Sequence, residues 1–187
     1  MGLSPRTQYL LAAVGCTLTI AQAAILPCTA QSILITGGEQ AGKSLLASKK
    51  FLQELVPDIA RAKAAGYDFP LIYWLVAADY DRTDREFNYI KEDLDSLGLL
   101  HAASKRVDPG FLEVGGGPAG KPVIAIIRTK SGKDYRTLGK EAPMGIIACE
   151  ASQLDLEAYL RLVSRQAPHR AWLFMTGTME SSLGWYP

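Results

Sequence analysis

The feature that most constrains the fold is a glycine-rich segment at residues 37–44, which reads GGEQAGKS. A short apolar run at 33–36 precedes it and predicts a buried strand, and the stretch at 45–55 that follows it has the composition of a helix. The spacing G-x-x-x-x-G-K-[ST] between a strand and a helix is the pattern of a phosphate-binding loop. Together the three parts predict the strand, loop and helix of an α/β domain.

The residue types of this loop suit the binding of a nucleoside triphosphate. Glycines allow backbone conformations that a Cβ would hinder, so the loop amides can point at an anion together with the start of the following helix. We expect the lysine to reach the β- and γ-phosphates and the serine hydroxyl to ligate Mg²⁺. An ordinary glycine-rich turn between a strand and a helix is the alternative. The predicted nucleotide-binding residues are Gly37, Gly38, Glu39, Gln40, Ala41, Gly42, Lys43 and Ser44.

The composition fits one globular domain and gives no overall attraction to an anionic partner. The chain has 187 residues, 48% of them hydrophobic, and a formal net charge of +1. This length and apolar share predict a sizeable core and argue against disorder. The three cysteines, Cys16, Cys28 and Cys149, are odd in number and widely spaced. We therefore expect no disulfide framework and no zinc site, and a reducing compartment fits best.

Residues 9–26 contain no charged side chain, which is also a feature of signal peptides and membrane spans. Gly15, Thr17, Thr19 and Gln22 interrupt the apolar run, however, and a nucleotide-binding loop would have no use outside the cell. We therefore expect a buried helix packed on the sheet.

Helical and strand patterns alternate along the chain, which predicts a three-layer α/β fold with a mostly parallel sheet and helices on both faces. Pro57 is expected to break a helix or to start a new turn, with further helix possible at 58–65 before Gly66. The charged residues of the amphipathic helix at 84–97 are expected to form a solvated face: Asp84, Arg85, Glu86, Lys91, Glu92, Asp93 and Asp95. Further helices are expected at 5–14, 20–26 and 154–165, and strands at 32–36, 71–77, 111–114, 122–129, 145–150 and 171–178.

A P-loop ATPase also needs an acidic strand end, and the strand at 145–150 is the one that has this form. Glu150 is predicted to act on the attacking water. Cys149 stands where an aspartate is usual, so Mg²⁺ would depend on Ser44, phosphate oxygens, water and Glu150. The alternative for Glu150 is a strand-end acid that caps a nearby helix.

These segments resemble the ATPase domain of the large terminase subunit of tailed phages, the motor that pumps DNA into procapsids. The resemblance rests on residues 32–44, on the acid strand and helix at 145–165, and on Thr176, Gly177 and Thr178. The part from 150 to 161 is the most discriminating. Residues 18–22 resemble the adenine-recognising Q motif of the family, with Ile20 where proline is usual.

The resemblance implies further roles for individual residues. Gln22 would bind adenine, and Arg161 looks like the sensor arginine of the family. Arg136 is the candidate for the arginine that a neighbouring subunit offers, with Arg128 second, although a solvated surface arginine fits both equally well. The residues that would couple hydrolysis to DNA movement are Thr176, Gly177 and Thr178.

The resemblance also implies ATP and Mg²⁺ as ligands, double-stranded DNA as substrate, and a homo-oligomeric ring. The small terminase subunit and the portal or procapsid would be partners, in the host cytoplasm and away from membranes. Terminases continue into a nuclease domain, whereas this chain stops at Pro187, so we expect a single ATPase domain over 1–187, a fragment without nuclease activity. A nucleotide-binding structural or regulatory module with poor hydrolysis, and a helicase-type ATPase, are the alternatives.

Overall fold

The computed structural model describes residues 2–104, 109–115, 122–179 and 184–186, with the backbone alone at 104, 136 and 137. The helices are α1 (Pro5–Ala13), α2 (Ile20–Ile25), α3 (Lys43–Ala64), α4 (Asp84–Ser96) and α5 (Leu156–Arg165). The strands are β1 (Ser32–Thr36), β2 (Leu71–Ala77), β3 (Leu100–Ser104), β4 (Phe111–Gly115), β5 (Val123–Ser131), β6 (Gly145–Ala148) and β7 (Trp172–Gly177). Short 3-10 segments lie at Tyr80–Thr83, Tyr135–Gly139 and Ala151–Gln153.

The seven strands form one sheet in the order β1-β7-β6-β2-β5-β4-β3. Five neighbouring strands run parallel to one another, namely β1, β7, β6, β2 and β5. The last two strands, β4 and β3, are antiparallel to their neighbours and form one edge of the sheet. The predicted mostly parallel sheet is therefore confirmed. Because β7 lies between β1 and β6, the carboxyl ends of the phosphate-loop strand, the acid strand and the strand between them meet at one edge, where α/β proteins bind ligands.

Helices cover both faces of this sheet, as predicted. Side chains of α3 and α4, among them Phe51 and Ile90, pack in one buried cluster with alternate residues of β2 such as Leu75. On the other face, Leu162 of α5 packs in a second cluster with Trp74. Alternating β2 residues enter opposite clusters because successive side chains of a strand point to opposite faces.

The prediction that Pro57 ends or interrupts a helix was wrong, since α3 continues through it to Ala64. Proline lacks the N–H that would complete the helical ladder, but buried contacts on both sides hold the helix together. Asp58, one residue later, is fully buried and accepts hydrogen bonds from Tyr73 at 3.0 Å and Trp172 at 3.1 Å. These bonds and the apolar contacts of Leu55 outweigh the cost of the missing backbone bond.

The prediction of a fully solvated charged face on α4 was also wrong at two positions. Glu86 is only 3% exposed and Asp93 only 5%. They lie seven residues apart, on the same side of the helix as buried Ile90. Asp93 is buried because Lys49 of α3 donates to both of its oxygens, at 2.5 and 2.6 Å. Glu86 faces the edge of the sheet where the phosphate loop lies.

The N-terminal apolar segment does not form the expected buried helix on the sheet. The two helices expected at 5–14 and 20–26 are present as α1 and α2, and α1 packs against α3. Leu11 and Leu26 enter the core, but Ile20 is 93% exposed. The polar residues at the starts of these helices cap them: Ser4 and Thr19 each accept a backbone N–H of the first turn. Within the described ranges, no helix has the length and hydropathy needed to span a bilayer.

Candidate nucleotide site

A cavity of about 880 Å³ opens at the carboxyl edge of the parallel strands. One wall is the glycine-rich loop at 39–45, and the opposite wall is the segment from Asp81 to Tyr89 that begins α4. Glu150, Gln153 and Thr178 close the side between them. The volume falls within the range of small-molecule sites. The predicted loop, acid and coupling segments therefore meet around one space.

The loop is built to present backbone N–H groups. Gly42 adopts the left-handed conformation, with φ at 75°, immediately before α3. Among the described residues, no side chain caps this helix start, and the first backbone bond of the helix is from Leu46 N–H to Gly42 C=O at 3.0 Å. The amides of the first turn therefore remain available to an anion at the positive end of a helix of 22 residues.

The lysine of the loop already points along it. Its ammonium donates to the carbonyl oxygens of Gly37 at 2.9 Å and Gly38 at 2.8 Å. An ammonium group has three donors, so one stays available to a phosphate oxygen while the other two fix its position. Lys43 is thus pre-organised for the phosphate contact that the sequence predicts.

Gln22, the predicted adenine ligand, supports the loop from behind. Its amide donates to the Gly42 carbonyl oxygen at 3.2 Å, and its amide oxygen accepts the Thr19 N–H at 2.9 Å. The side chain is buried and is not part of the cavity wall. Adenine recognition by Gln22 stays a prediction, whereas its contact with the loop is a feature that sequence reasoning missed.

The strand predicted at 145–150 ends two residues early, and only Glu150 of its last residues lines the cavity. β6 ends at Ala148, and the next residue, Cys149, is fully buried and donates its backbone N–H to Val76 of β2 at 2.7 Å. Glu150 then takes the left-handed conformation, with φ at 48°, and lines the cavity. This conformation is uncommon outside glycine and turns the carboxylate away from the buried strand towards the cavity.

Glu86 is the acidic residue that sequence reasoning missed. It is buried and lines the cavity together with Ser44. Burial raises the pKa of Glu86, and the negative charge of Glu150 adds to that, while the bonds from Ser44, its own backbone N–H and Cys149 oppose it. The signal in the sequence was its place on the apolar side of α4, in line with Ile90.

The wall formed by the start of α4 also carries two arginines, Arg82 and Arg85. Arg82 pairs with Asp79 at 3.4 Å. Sequence reasoning placed Arg85 on a solvated face and overlooked Arg82. The same segment also brings Asp81 and Asp84 to the cavity, so this part of the lining carries charges of both signs.

The three residues predicted to couple hydrolysis to DNA movement take different positions. Thr176 is buried in β7 opposite Ile35, and Thr178 reaches the cavity wall. Gly177 leaves room for Tyr186, because a Cβ at position 177 would lie 2.7 Å from the tyrosine hydroxyl oxygen. That hydroxyl donates a hydrogen bond to the Ile35 carbonyl oxygen at 3.3 Å. One hydroxyl of the segment therefore faces the ligand space and the other faces the sheet.

Arg161 and Arg128 do not line the cavity. Arg161 is exposed on α5, with its guanidinium 5.9 Å from the ring centre of Tyr135. Arg128 pairs with Glu141. The side chain of Arg136 lies outside the described residues. The sensor role and the role across a subunit boundary stay predictions.

No cluster of three or more His, Cys, Asp or Glu side chains within the described ranges could hold a metal ion. A metal would instead need oxygens from a bound triphosphate. The donors present fit Mg²⁺ in that setting, because the Ser44 hydroxyl and the carboxylates of Glu86 and Glu150 line the same cavity, and Mg²⁺ prefers such oxygens with one or two carboxylates.

Known structures share this arrangement of strands and helices. The ATPase domain of the Thermus phage P74-26 large terminase matches with a TM-score of 0.71 and 16% identity, over 95% of this chain and 70% of that one. The large terminase of a second, thermophilic bacteriophage matches with a TM-score of 0.59 and 15% identity, over 95% of this chain and 39% of that one. This chain has the fold of a large-terminase ATPase domain.

The HK97 bacteriophage large terminase also matches, with a TM-score of 0.54 and 15% identity, over 95% of this chain and 33% of its own length. The terminase of the thermophilic bacteriophage has been crystallised with ADP and with ATP-γ-S. No family model and no curated protein matches the sequence. At these identities the likeness establishes the fold, and the chain spans well under half of the thermophilic-phage and HK97 proteins.

Proposed function

We propose that this chain hydrolyses ATP with Mg²⁺ as the motor domain of a large terminase, and that hydrolysis drives double-stranded DNA into a procapsid. The observation that carries the proposal is the meeting of Lys43, Ser44, Glu150 and Thr178 around one cavity. The terminase ATPase fold supports the DNA-packaging role over other uses of a phosphate loop. The homo-oligomeric ring, the small terminase subunit, the portal and the host cytoplasm belong to the same proposal.

The chemistry follows from the position of each residue. The amides of the first turn of α3 and the ammonium of Lys43 hold the β- and γ-phosphates and balance the charge that develops on them. Ser44 and the nearby carboxylates would hold Mg²⁺, which neutralises charge on the phosphate oxygens when bound. Glu150 orients a water molecule for attack on the γ-phosphorus and accepts its proton.

Thr178 links the site to the rest of the domain. Its hydroxyl can bond the γ-phosphate or the phosphate that leaves, because it shares the cavity wall with Glu150. Loss of that bond after hydrolysis would change the position of the segment after β7. In a ring, an arginine of the next subunit would approach the cavity, and Arg136 stays the candidate.

The test is ATP turnover with and without duplex DNA for the wild-type chain and for K43A, E150Q and E157Q. We expect DNA to raise wild-type turnover. K43A and E150Q should each lower it by about 100-fold or more, because phosphate positioning and general base catalysis each contribute that much. E157Q is the matched control, since Glu157 is an exposed acid on α5, and it should turn over ATP like the wild type.

Turnover that survives E150Q would refute the assigned mechanism. A wild-type chain that binds ATP but does not hydrolyse it, with or without DNA, would favour the nucleotide-binding module, which Cys149 in the usual aspartate position supports. ATP-dependent separation of DNA strands would favour the helicase-type alternative.

A further inference from the structure

The acid strand lacks a carboxylate at the position where one is needed. In P-loop ATPases an aspartate at the end of this strand helps to hold Mg²⁺ together with the loop serine. Here that position is Cys149, which is fully buried and has a thiol in place of a carboxylate. Ser44 would then have no carboxylate beside it from the end of β6, where P-loop ATPases usually have the aspartate.

The fold brings a carboxylate to the same place from another strand. β2 and β6 are parallel neighbours, with Val76 opposite Ala148, so the segment after β2 lies beside the residues that follow β6. That segment forms a 3-10 turn at Tyr80–Thr83 and then begins α4. Its buried acid, Glu86, therefore arrives next to Cys149, although the two are far apart in the sequence.

The contacts of Glu86 are those that the missing aspartate would make. Ser44 and Glu86 line the same cavity, and hydrogen bonding from the side chains of Ser44 and Cys149 lowers the pKa of the Glu86 carboxyl against the effect of burial. A serine hydroxyl that donates its hydrogen to a carboxylate keeps its lone pairs for a cation, and such outer contacts orient metal ligands. A second carboxylate at position 149 would face Glu86 at close range and be repelled.

We propose that Glu86 is the positioning residue that replaces the absent strand-end aspartate, and that it directs Ser44 towards the magnesium ion of the nucleotide. In this arrangement Glu86 of α4 supplies the negative charge that an aspartate at position 149 would supply, and Cys149 is a small side chain that leaves space for it. This inference rests on the proposed function, since it concerns the metal of the ATP complex.

The experiment measures metal binding directly, with Mn²⁺ as the probe and ATP-γ-S as the nucleotide. Free Mn²⁺ is followed by electron paramagnetic resonance, and nucleotide affinity is measured separately in EDTA. We expect E86Q to weaken Mn²⁺ binding to the nucleotide complex by about 10- to 100-fold. Affinity for ATP-γ-S in EDTA should change by less than about threefold, because that measurement contains no metal and glutamine keeps the shape of the side chain. Glutamine has no negative charge and is a weaker acceptor for the Ser44 hydroxyl, so the loss is expected only when the metal is present.

Two further variants separate the charge from the fold. E92Q removes the same charge from an exposed position of α4 and should bind Mn²⁺ like the wild type. C149D in the E86Q background returns a carboxylate to the strand end and should restore Mn²⁺ affinity to within about threefold of the wild type. C149D alone should bring no gain, because two carboxylates would then compete for one place.

Three results would overturn the inference: Mn²⁺ affinity of E86Q equal to that of E92Q, an equal loss of nucleotide affinity with and without metal, or no recovery in the double variant. A wild-type chain that binds Mn²⁺ and ATP-γ-S but never hydrolyses ATP would refute the proposed function and leave the role of Glu86 standing. A wild-type chain that binds neither would refute both.

Discussion

Replacing Gly42 by alanine should cost stability in two separable ways. The residue has φ at 75°, a conformation that costs a residue with a Cβ about 1–2 kcal/mol. The added Cβ would also lie 2.5 Å from Nε2 of Gln22, so that side chain must rotate away. Its bond to the Gly42 carbonyl and its part in the cap of α2 are then lost, at about 0.5–1.5 kcal/mol each. The expected total for G42A is about 2–5 kcal/mol.

Urea unfolding followed by tryptophan fluorescence gives the free energy of unfolding for each variant. G38A is the matched control in the same loop, because a Cβ there meets nothing within 4 Å, and it should stay within about 0.5 kcal/mol of the wild type. In a Q22A background, G42A should cost only the conformational part, about 1–2 kcal/mol. Equal costs of G42A in both backgrounds, or a cost of G38A as large as that of G42A, would refute the reasoning.

Two further predictions concern buried contacts, and both use the same unfolding measurement. In G145A the new Cβ would lie 2.1–2.6 Å from three ring atoms of Trp172. We expect the free energy of unfolding to fall by about 2–5 kcal/mol, because the site is overpacked and the hydrogen bond from Trp172 to Asp58 is weakened. G139A is the control, since its Cβ meets only ordinary contacts, and equal stability of the two variants would contradict the prediction. D93A leaves the Lys49 ammonium buried without its partner and should lower the free energy of unfolding by about 3–5 kcal/mol. The double variant K49M/D93L removes both charges and should be nearly as stable as the wild type. A double variant as unstable as D93A would show that packing, and not the unpaired charge, causes the loss of stability.

Much of the fold could be predicted because it depends on neighbours in the sequence. The strand, loop and helix around residues 37–44 are contiguous, and the alternation of elements indicates a parallel sheet. Residues that follow parallel strands meet at one edge, so Ser44, Glu150 and Thr178 were expected to share a site. β3 was missed because it is a short edge strand, and the path of α3 through Pro57 depends on buried partners that no local pattern reveals.

The environment of Glu86 could not be predicted for a different reason. Its burial depends on β2 lying next to β6, and the order of strands in a sheet is not written in the alternation of elements. A charged residue between apolar ones on a helix is usually solvated, which made the solvated face the natural prediction for α4. The sequence shows that position 149 has no aspartate and that Glu86 shares the side of α4 that carries Ile90, but neither observation shows that these two positions meet in the fold.

The position of β7 has a mechanical consequence. This strand is bonded to β1 on one side and to β6 on the other, with Gly177 opposite Thr36 and Met175 opposite Ala148. It therefore lies between the strand that precedes the glycine-rich loop and the strand that leads to Glu150, the acid proposed to activate water. Any shear or widening between those two strands has to pass through β7, and Thr178 at its end moves with it. Conversely, a force applied to the chain after Thr178 would act through β7 on both of its neighbours, β1 and β6.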